Sequence, residues 1–262
     1  MKSLQIAATG MMAQQLNVEV ISNNIANMRT TGYKKVRAEF QDLLYQDVRR
    51  VGATSSDAGT TVPSGIQIGF GVKTGATPRV MSQGNLSSTE KELDVAIRGE
   101  GYFQVNLPNG QTAYTRDGSF ELDAQGRLVT LDGFEIQPGI TIPDNAREIT
   151  INREGTVQVL VDDDTAPQEV GQIQLARFVN KAGLQAIGDN LFLETPSSGT
   201  PTTGNPGDAG FGSVLQKFLE SANVNAVAEL SDLIAAQRAY EMNARIISSS
   251  DEMMSAATQI LR

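Results

Sequence analysis

At 262 residues the chain is long enough to bury a sizeable core in one or two domains. It contains no Cys and no His, which removes disulfides, thiolate metal sites, thiol nucleophiles and the commonest general base, and with them the conventional hydrolytic triads. A formal net charge of -9 repels phosphate backbones and argues against broad nucleic-acid binding.

The first element is a helix with two heptad rows, Leu4, Met11, Val18 and Ile25 beside Ala7, Gln14, Ile21 and Met28. Its first twenty residues fail as a secretory signal, because Gln5, Thr9, Gln14 and Gln15 interrupt any apolar run and only Lys2 is basic. No run of about 18 apolar residues exists anywhere, so no membrane span is expected. The helix should break near residues 27–32. Asn23, Asn24 and Asn27 compete with the backbone for hydrogen bonds, and Gly32 can take positive φ. Residues 46–80 follow as a Gly-, Ser- and Thr-rich unit that contains Arg49, Arg50, Thr60, Thr61, Pro63 and Gly65, and a loop of this length is functional or disordered. Within it, Ile66, Ile68, Phe70 and Val72 alternate as a strand does.

From residue 93 to 195 the period changes to two. Tyr102, Gln104 and Asn106 alternate with Phe103, Val105 and Leu107 before Pro108-Asn109-Gly110 turns the chain. Asp117-Gly118, Gln125-Gly126, Asp132-Gly133 and Glu154-Gly155 are further turn signals between β-rich runs. Strands are expected over 149–151, 157–161, 173–178 and 191–193, and a polar connector over 195–212. The run Asp162-Asp163-Asp164 invites a cation or paired-carboxylate reading, but the glycine and glutamate of an EF-hand loop are missing, and a solvated turn is the simpler account.

The last element is a long helix. Leu219, Ala226, Leu233, Tyr240, Ile247, Met254 and Leu261 fall one every seven residues, and the companion row four further on, Asn223, Leu230, Gln237, Ala244, Asp251 and Thr258, is mixed and partly polar. From Ala226 to Leu261 it would extend roughly 54 Å at 1.5 Å per residue, so much of it needs a partner. Periodicity also fits two ordinary amphipathic helices packed on a globular body. Residues 1–40 hold five Lys/Arg against two Glu (+3) and residues 210–262 four against six (-2), leaving -10 for the middle, which suits terminal helices that lie against each other.

The expected fold class is therefore α+β: discontinuous N- and C-terminal coiled-coil-like helices bracketing an inserted antiparallel all-β domain, with a long loop-rich segment after the first helix. The parts are residues 1–45, 46–80, 81–209 and 210–262.

Three sets of residues carry a resemblance. Asn23-Asn24-Ile25-Ala26-Asn27 followed by Thr30, Gly32, Tyr33 and Lys34 resembles the N-terminal signature of the axial proteins of the bacterial flagellum, the rod, hook and hook-associated proteins. Leu219-Glu220, Asn223-Val224-Asn225 and the run Gln237-Arg238-Ala239-Tyr240-Glu241-Met242-Asn243 resemble the C-terminal signature of that family. The β domain agrees in Leu93-Asp94-Val95-Ala96-Ile97, Gly101-Tyr102-Phe103 and Tyr114-Thr115-Arg116-Asp117-Gly118. Ala222 departs from the Ser common in the family, which puts a capping hydroxyl in doubt.

The resemblance covers essentially the whole chain and implies a structural subunit rather than an enzyme, with no cofactor. The length and the segment 46–65 point to the distal rod; a proximal rod or hook-type axial protein is the alternative, and a secreted binding module or a peptidoglycan-acting enzyme stands further off. Many copies would wind into a hollow helical shaft that transmits torque from motor to hook, with the terminal helices around the channel and the β domain outward. Implied partners are the chain itself, proximal rod and hook proteins, the basal-body rings and the flagellar export apparatus. The implied location is the periplasmic basal body, reached without a cleaved signal. Under this resemblance the assembly interface comprises Leu4, Met11, Val18, Asn23, Asn24, Asn27, Thr30, Gly32, Tyr33, Lys34, Asn223, Asn225, Leu233, Gln237, Arg238, Tyr240, Glu241, Asn243 and Ile247. Arg49, Arg50, Thr60, Thr61, Pro63 and Gly65 would form an inter-subunit loop that stiffens the shaft. Both termini are expected to be partly disordered before assembly.

Overall fold

The computed structural model describes residues 2–50, 64–161 and 166–260. The chain divides into two compact units. One holds residues 1–25, 36–78 and 225–262; the other holds residues 26–35 and 79–224. Helices bracket a β-rich middle, so the fold is α+β.

In the helical unit, α1 (Lys2–Ala26) and α2 (Ala226–Ile260) run antiparallel. Asn24 Nδ2 donates to Glu229 Oε2 at 3.1 Å near one end, and further along Gly10 faces the Asn243 amide so closely that a Cβ on Gly10 would stand 3.0 Å from it. The helix start at Ala226 is set by Asn225, whose Oδ1 accepts from the N–H groups of Val227 and Ala228. The cap is thus Asn225 itself, and the missing hydroxyl at Ala222 leaves no vacancy there. The heptad row Ala226, Leu233, Tyr240, Ile247 keeps its place on the helix, but two expectations change. Leu219 belongs to a strand and Asn223 to the connection before the helix, because backbone pairing with another strand claims that stretch first. The second row lies three residues on rather than four: Glu229, Ala236 and Ser250 are the buried positions of α2, whereas Leu230 and Gln237 are exposed. In a heptad the inward rows are spaced three and four apart, and α1 selects the row with small or hydrogen-bonding side chains.

The described residues of 36–50 and 64–78 form a two-stranded ribbon. β1 (Glu39–Asp42) pairs β4 (Val72–Ala76), and β2 (Tyr45–Arg49) pairs β3 (Ile66–Gly69), joined by bonds from Leu43 N–H to Gly71 O and from Phe70 N–H to Leu44 O. The alternation expected at 66–72 is therefore split at Gly71, whose φ of +113° and contact with Thr9 exclude a side chain. The ribbon lies along α1. Asn24 holds Val36 through both N–H and C=O at 2.9 Å, Thr9 Oγ1 accepts from Val72 N–H at 3.4 Å, and Lys2 meets Gln46 and the Phe70 ring. Asn24 to Lys2 is about 33 Å of helix and Val36 to Gln46 about 33 Å of strand, so the two run in step.

The β unit continues with β5 (Leu86–Ser88), β6 (Val95–Arg98), β7 (Tyr102–Asn106), β8 (Thr112–Thr115), β9 (Glu121–Leu122), β10 (Leu128–Val129) and β11 (Glu135–Ile136). It then runs through β12 (Ala146–Ile151), β13 (Thr156–Val161), β14 (Gln168–Gln172), β15 (Leu175–Arg177), β16 (Gln185–Gly188), β17 (Leu191–Leu193), β18 (Thr202–Gly204), β19 (Ser213–Gln216) and β20 (Phe218–Glu220). All pairings among the described residues are antiparallel; the largest sheet runs β16-β17-β8-β7-β11-β10-β9, with β15 on β7 and β18 on β15. The turns at 108–110, 125–126, 132–133 and 154–155 form, each with its glycine at positive φ. Asp117-Gly118 does not reverse a hairpin. The chain bends at Arg116 just before it, and a Gly118 Cβ would lie 1.6 Å from Val95 O.

The alternation over 102–107 gives a strand as expected, and Tyr102 and Gln104 are buried on it along with Phe103 and Val105. One side feeds a core of Phe103, Phe120, Ile97, Leu128, Ile136 and Leu175, and the other an aromatic cluster in which Tyr114 stands edge-on to Phe178 at 4.7 Å. A strand covered on both faces loses its binary pattern. The connector at 195–212 contributes β18. Asp162-Asp163-Asp164 lies outside the described residues.

Candidate functional site

The residues singled out by sequence fall into two groups with opposite character. Those of 27–34 and 220–223 lie in the β unit and bond within the chain; those of the helices and ribbon lie in the helical unit and are mostly turned to solvent.

In the β unit, Lys34 and Glu220 form a buried ion pair at 2.5 Å, with Lys34 1% exposed. Lys34 Nζ also donates to Ser82 O at 2.9 Å. Glu220 Oε1 accepts from Gly84 N–H, and its other oxygen faces the Arg116 guanidinium at 3.4 Å. Arg116 extends over the Tyr102 ring and donates to Ile97 O and Gly99 O, while its Nε is buried without a partner. Two bases thus share one carboxylate out of water. Burial pushes the Lys34 ammonium below its ordinary value, opposed by the Glu220 carboxylate. Burial also raises the Tyr102 hydroxyl to about 12, and that of Tyr114 to about 12.

Backbone and amide bonds close this clasp. Gly32 N–H donates to Glu220 O at 2.8 Å with φ +67°, and a Cβ there would stand 2.7 Å from Asp117 N. Asn223 Oδ1 accepts from Lys35 N–H at 2.8 Å, and its Nδ2 donates to Val80 O at 2.7 Å and to Ser82 O at 3.1 Å. Thr30 Oγ1 donates to Asn27 Oδ1 at 3.2 Å, and Tyr33 is buried. Three stretches far apart in sequence, 30–35, 79–84 and 218–223, are held at one point. Glu220 and Arg116 both fall within the sequence motifs, which assign neither of them a role. The signal was a charged residue amid an alternating apolar run, which burial permits only with a partner.

In the helical unit, Asn24 is buried and committed to Val36 and Glu229, the latter another residue missed from sequence. Leu4, Met11, Val18, Leu233, Asn243 and Ile247 are half-buried between elements; Asn23, Asn225, Gln237, Arg238, Tyr240 and Glu241 are exposed. α2 leaves Val227, Leu230, Ile234, Ile246 and Met253 in solvent, Val227 74% exposed. The ribbon exposes Leu44, Tyr45, Val48 and Ile66, Leu44 at 83%. Arg49 closes β2 and Arg50 follows it, both exposed, and Gly65 immediately precedes β3, whereas Thr60, Thr61 and Pro63 lie outside the described residues. No described helix is long and apolar enough to cross a membrane. Among the described residues no cluster of acidic side chains has the arrangement of a metal site.

Comparison with known proteins finds three family matches along the chain. Residues 4–34 fit the family described as flagella basal body rod protein, 96–159 the flagellar hook protein FlgE/F/G D1 domain, and 215–260 the flagellar basal body rod FlgEFG protein C-terminal. Named relatives include the flagellar basal-body rod protein FlgG of Caulobacter vibrioides, 57% identical over 99% of both chains. Others with the same name are from Agrobacterium fabrum, 50% identical over 100% of both, and Borreliella burgdorferi, 47% identical over 100% of this chain and 99% of the relative. The flagellar hook protein FlgE of Helicobacter pylori is 35% identical over 71% of this chain but only 26% of its own length. Signature residues at both ends, the β unit between them and identity along the full length agree: the chain belongs to the FlgG family of flagellar basal-body rod proteins.

Proposed function

We propose that the protein builds the distal rod, a hollow helical shaft made of copies of itself that carries torque from motor to hook and lets exported subunits pass. As a family member it is a structural rod subunit and not an enzyme. The observation that carries the assembly reading is the row of apolar side chains left in water along α2 and the ribbon, Val227, Leu230, Ile234, Ile246, Leu44 and Val48. Large apolar side chains left exposed in such number mark interaction surfaces. An open polymer needs a contact between unlike surfaces that does not close on itself, and α2 and the ribbon present two such surfaces.

On this reading α1 and α2 form a coiled seam that neighbouring copies extend, and Arg49, Arg50, Gly65, Thr60, Thr61 and Pro63 belong to a segment that bridges copies and stiffens the shaft. Proximal rod and hook proteins meet the two ends, the basal-body rings surround it in the periplasm, and the chain arrives through the flagellar export apparatus without a cleaved signal. The clasp has a different part. Gly32, Lys34 and Asn223 are saturated within one chain, so they shape the subunit and leave the copy-to-copy contacts to the helices and ribbon. A hook reading suits the chain less well, because the match to the hook relative spans only 26% of that protein's length.

The test is electron cryo-microscopy of the purified protein after self-assembly. The reading expects straight hollow tubes with α1 and α2 lining the channel. A compact monomer under all assembly conditions would overturn it.

A further inference from the structure

The hairpin of β7 and β8 closes through a three-residue loop, Pro108-Asn109-Gly110, in which Leu107 N–H donates to Gln111 O and Gly110 N–H donates to Leu107 O, both at 2.9 Å. The loop residues and Gln111 are all exposed. Gly110 stands at φ +81°, and a Cβ there would meet nothing within 4 Å. Asn109 turns its amide forward, past the glycine, to Gln111. Its Oδ1 accepts from Gln111 N–H and its Nδ2 donates to Gln111 Oε1, each at 3.0 Å.

We propose that Asn109 is a site of spontaneous deamidation, at which the chain modifies itself through a cyclic imide with water as the only reagent. Gly110 N attacks Asn109 Cγ. As that bond forms, negative charge gathers on Oδ1, where Gln111 N–H already stands as a donor. The Cγ–Nδ2 bond then breaks, and Nδ2 leaves as ammonia with the proton that Gly110 N gives up. Water reopens the five-membered ring at either carbonyl. Cleavage of the new N–Cγ bond gives an aspartyl chain. Cleavage between Gly110 N and the Asn109 carbonyl carbon gives an isoaspartyl chain, whose backbone passes through the side chain and is longer by one methylene. Either product carries a carboxylate where the amide was, so the formal charge moves from -9 to -10 (-9 - 1). Nothing is oxidised or reduced.

The remaining candidates in the chain are blocked in ways that Asn109 is not. No other Asn precedes a Gly. Asp117-Gly118 has the same skeleton, but Gly118 is packed on Val95 O, and the Asp117 oxygens are held by Ser119 and Asn190. Asp132-Gly133 is exposed and its glycine is open, but above neutral pH an ionised carboxylate resists a nucleophile and offers no ammonia to expel. Asn24 and Asn223 are fixed through both amide atoms, and the β-branched Ile25 and Val224 crowd the nitrogen that would attack. At Asn109 one turn bond, Gly110 N–H to Leu107 O, has to open, and it lies at an exposed tip.

The full chain is held at mildly alkaline pH beside a synthetic peptide of residues 105–113 until the peptide has converted, then digested and read by mass. The fragment holding Asn109 should gain the mass of an amide-to-acid exchange and split into two chromatographic forms, one of them labelled by an isoaspartate-specific methyltransferase. Asn109→Gln should lose the reaction, because its ring would need six members, and the fragment holding Asp132 should stay unchanged. An Asn109 that remains intact in the folded chain overturns the proposal, as does a mass gain that arises first at another asparagine or that persists in Asn109→Gln.

Discussion

The clasp of the β unit and the outer face of α2 both lie within the matched family regions, yet they solve opposite problems. At the clasp, Lys34, Glu220, Arg116, Gly32 and Asn223 find their partners within the chain, and charges that would be costly alone are buried together. On α2, Val227, Leu230 and Ile234 have no cover in the single chain. A signature in an assembling protein can therefore specify the subunit or its contacts, and burial tells them apart.

The comparison breaks most sharply at Glu220. Glu220→Gln would leave two bases buried without a counter-charge and should cost about 3–5 kcal/mol of the β unit's stability, measured by urea unfolding. Replacing Lys34, Arg116 and Glu220 together by Met, Met and Leu should cost less than that single change, because the buried charges are then removed whole. Gly32→Ala comes next. It forces a side chain into positive φ and against the Asp117 backbone, at about 3 kcal/mol, and should lower the melting temperature without altering the solvent-facing side of α2. Asn223→Ala strips partners from Lys35 N–H, Val80 O and Ser82 O and should cost about 2 kcal/mol by the same unfolding measurement.

Alkaline pH sharpens the contrast within the β unit. An unfolded tyrosine ionises near 10, whereas Tyr102 and Tyr114 hold their protons to about 12. Between those values the folded chain retains protons that the unfolded chain has shed, so stability should fall as pH rises from 10 to 12. Tyr102→Phe should flatten that fall, as read by denaturant midpoints across the range. The smallest effect on the subunit is expected from Leu230→Ser with Ile234→Ser: monomer stability should shift by no more than about 0.5 kcal/mol, while polymerisation, followed by light scattering, should weaken.

Much of this was legible in the sequence because the signals are local. The helix break near Gly32, the turns at Asn109-Gly110 and Glu154-Gly155 and the start of the last helix after Asn225 all follow from residues that set their own backbone. What sequence missed depends on distant partners. Leu219 sits in phase with a helical row, but pairing with Ser87 puts it in a strand. The second inward row of α2 is chosen by the facing residues of α1, as Glu229 shows by meeting Asn24. The alternation of Tyr102 with Phe103 does not show that both faces of β7 are covered, which the second cluster around Tyr102 does. Lys34 and Asn223 resemble interface residues because polar side chains in a motif look exposed, and only their long-range bonds identify them as internal.

Amide hydrogen exchange on the monomer and on the assembled polymer tests the central claim most directly, that one signature set closes the subunit and the other joins subunits. The amides of Gly32, Gly84 and Lys35 should be protected already in the monomer, while those of the ribbon over 45–49 and of α2 over 251–260 should exchange there and gain protection only on assembly. Clasp amides that exchange freely until copies assemble, or ribbon and α2 amides equally protected in both states, would contradict it.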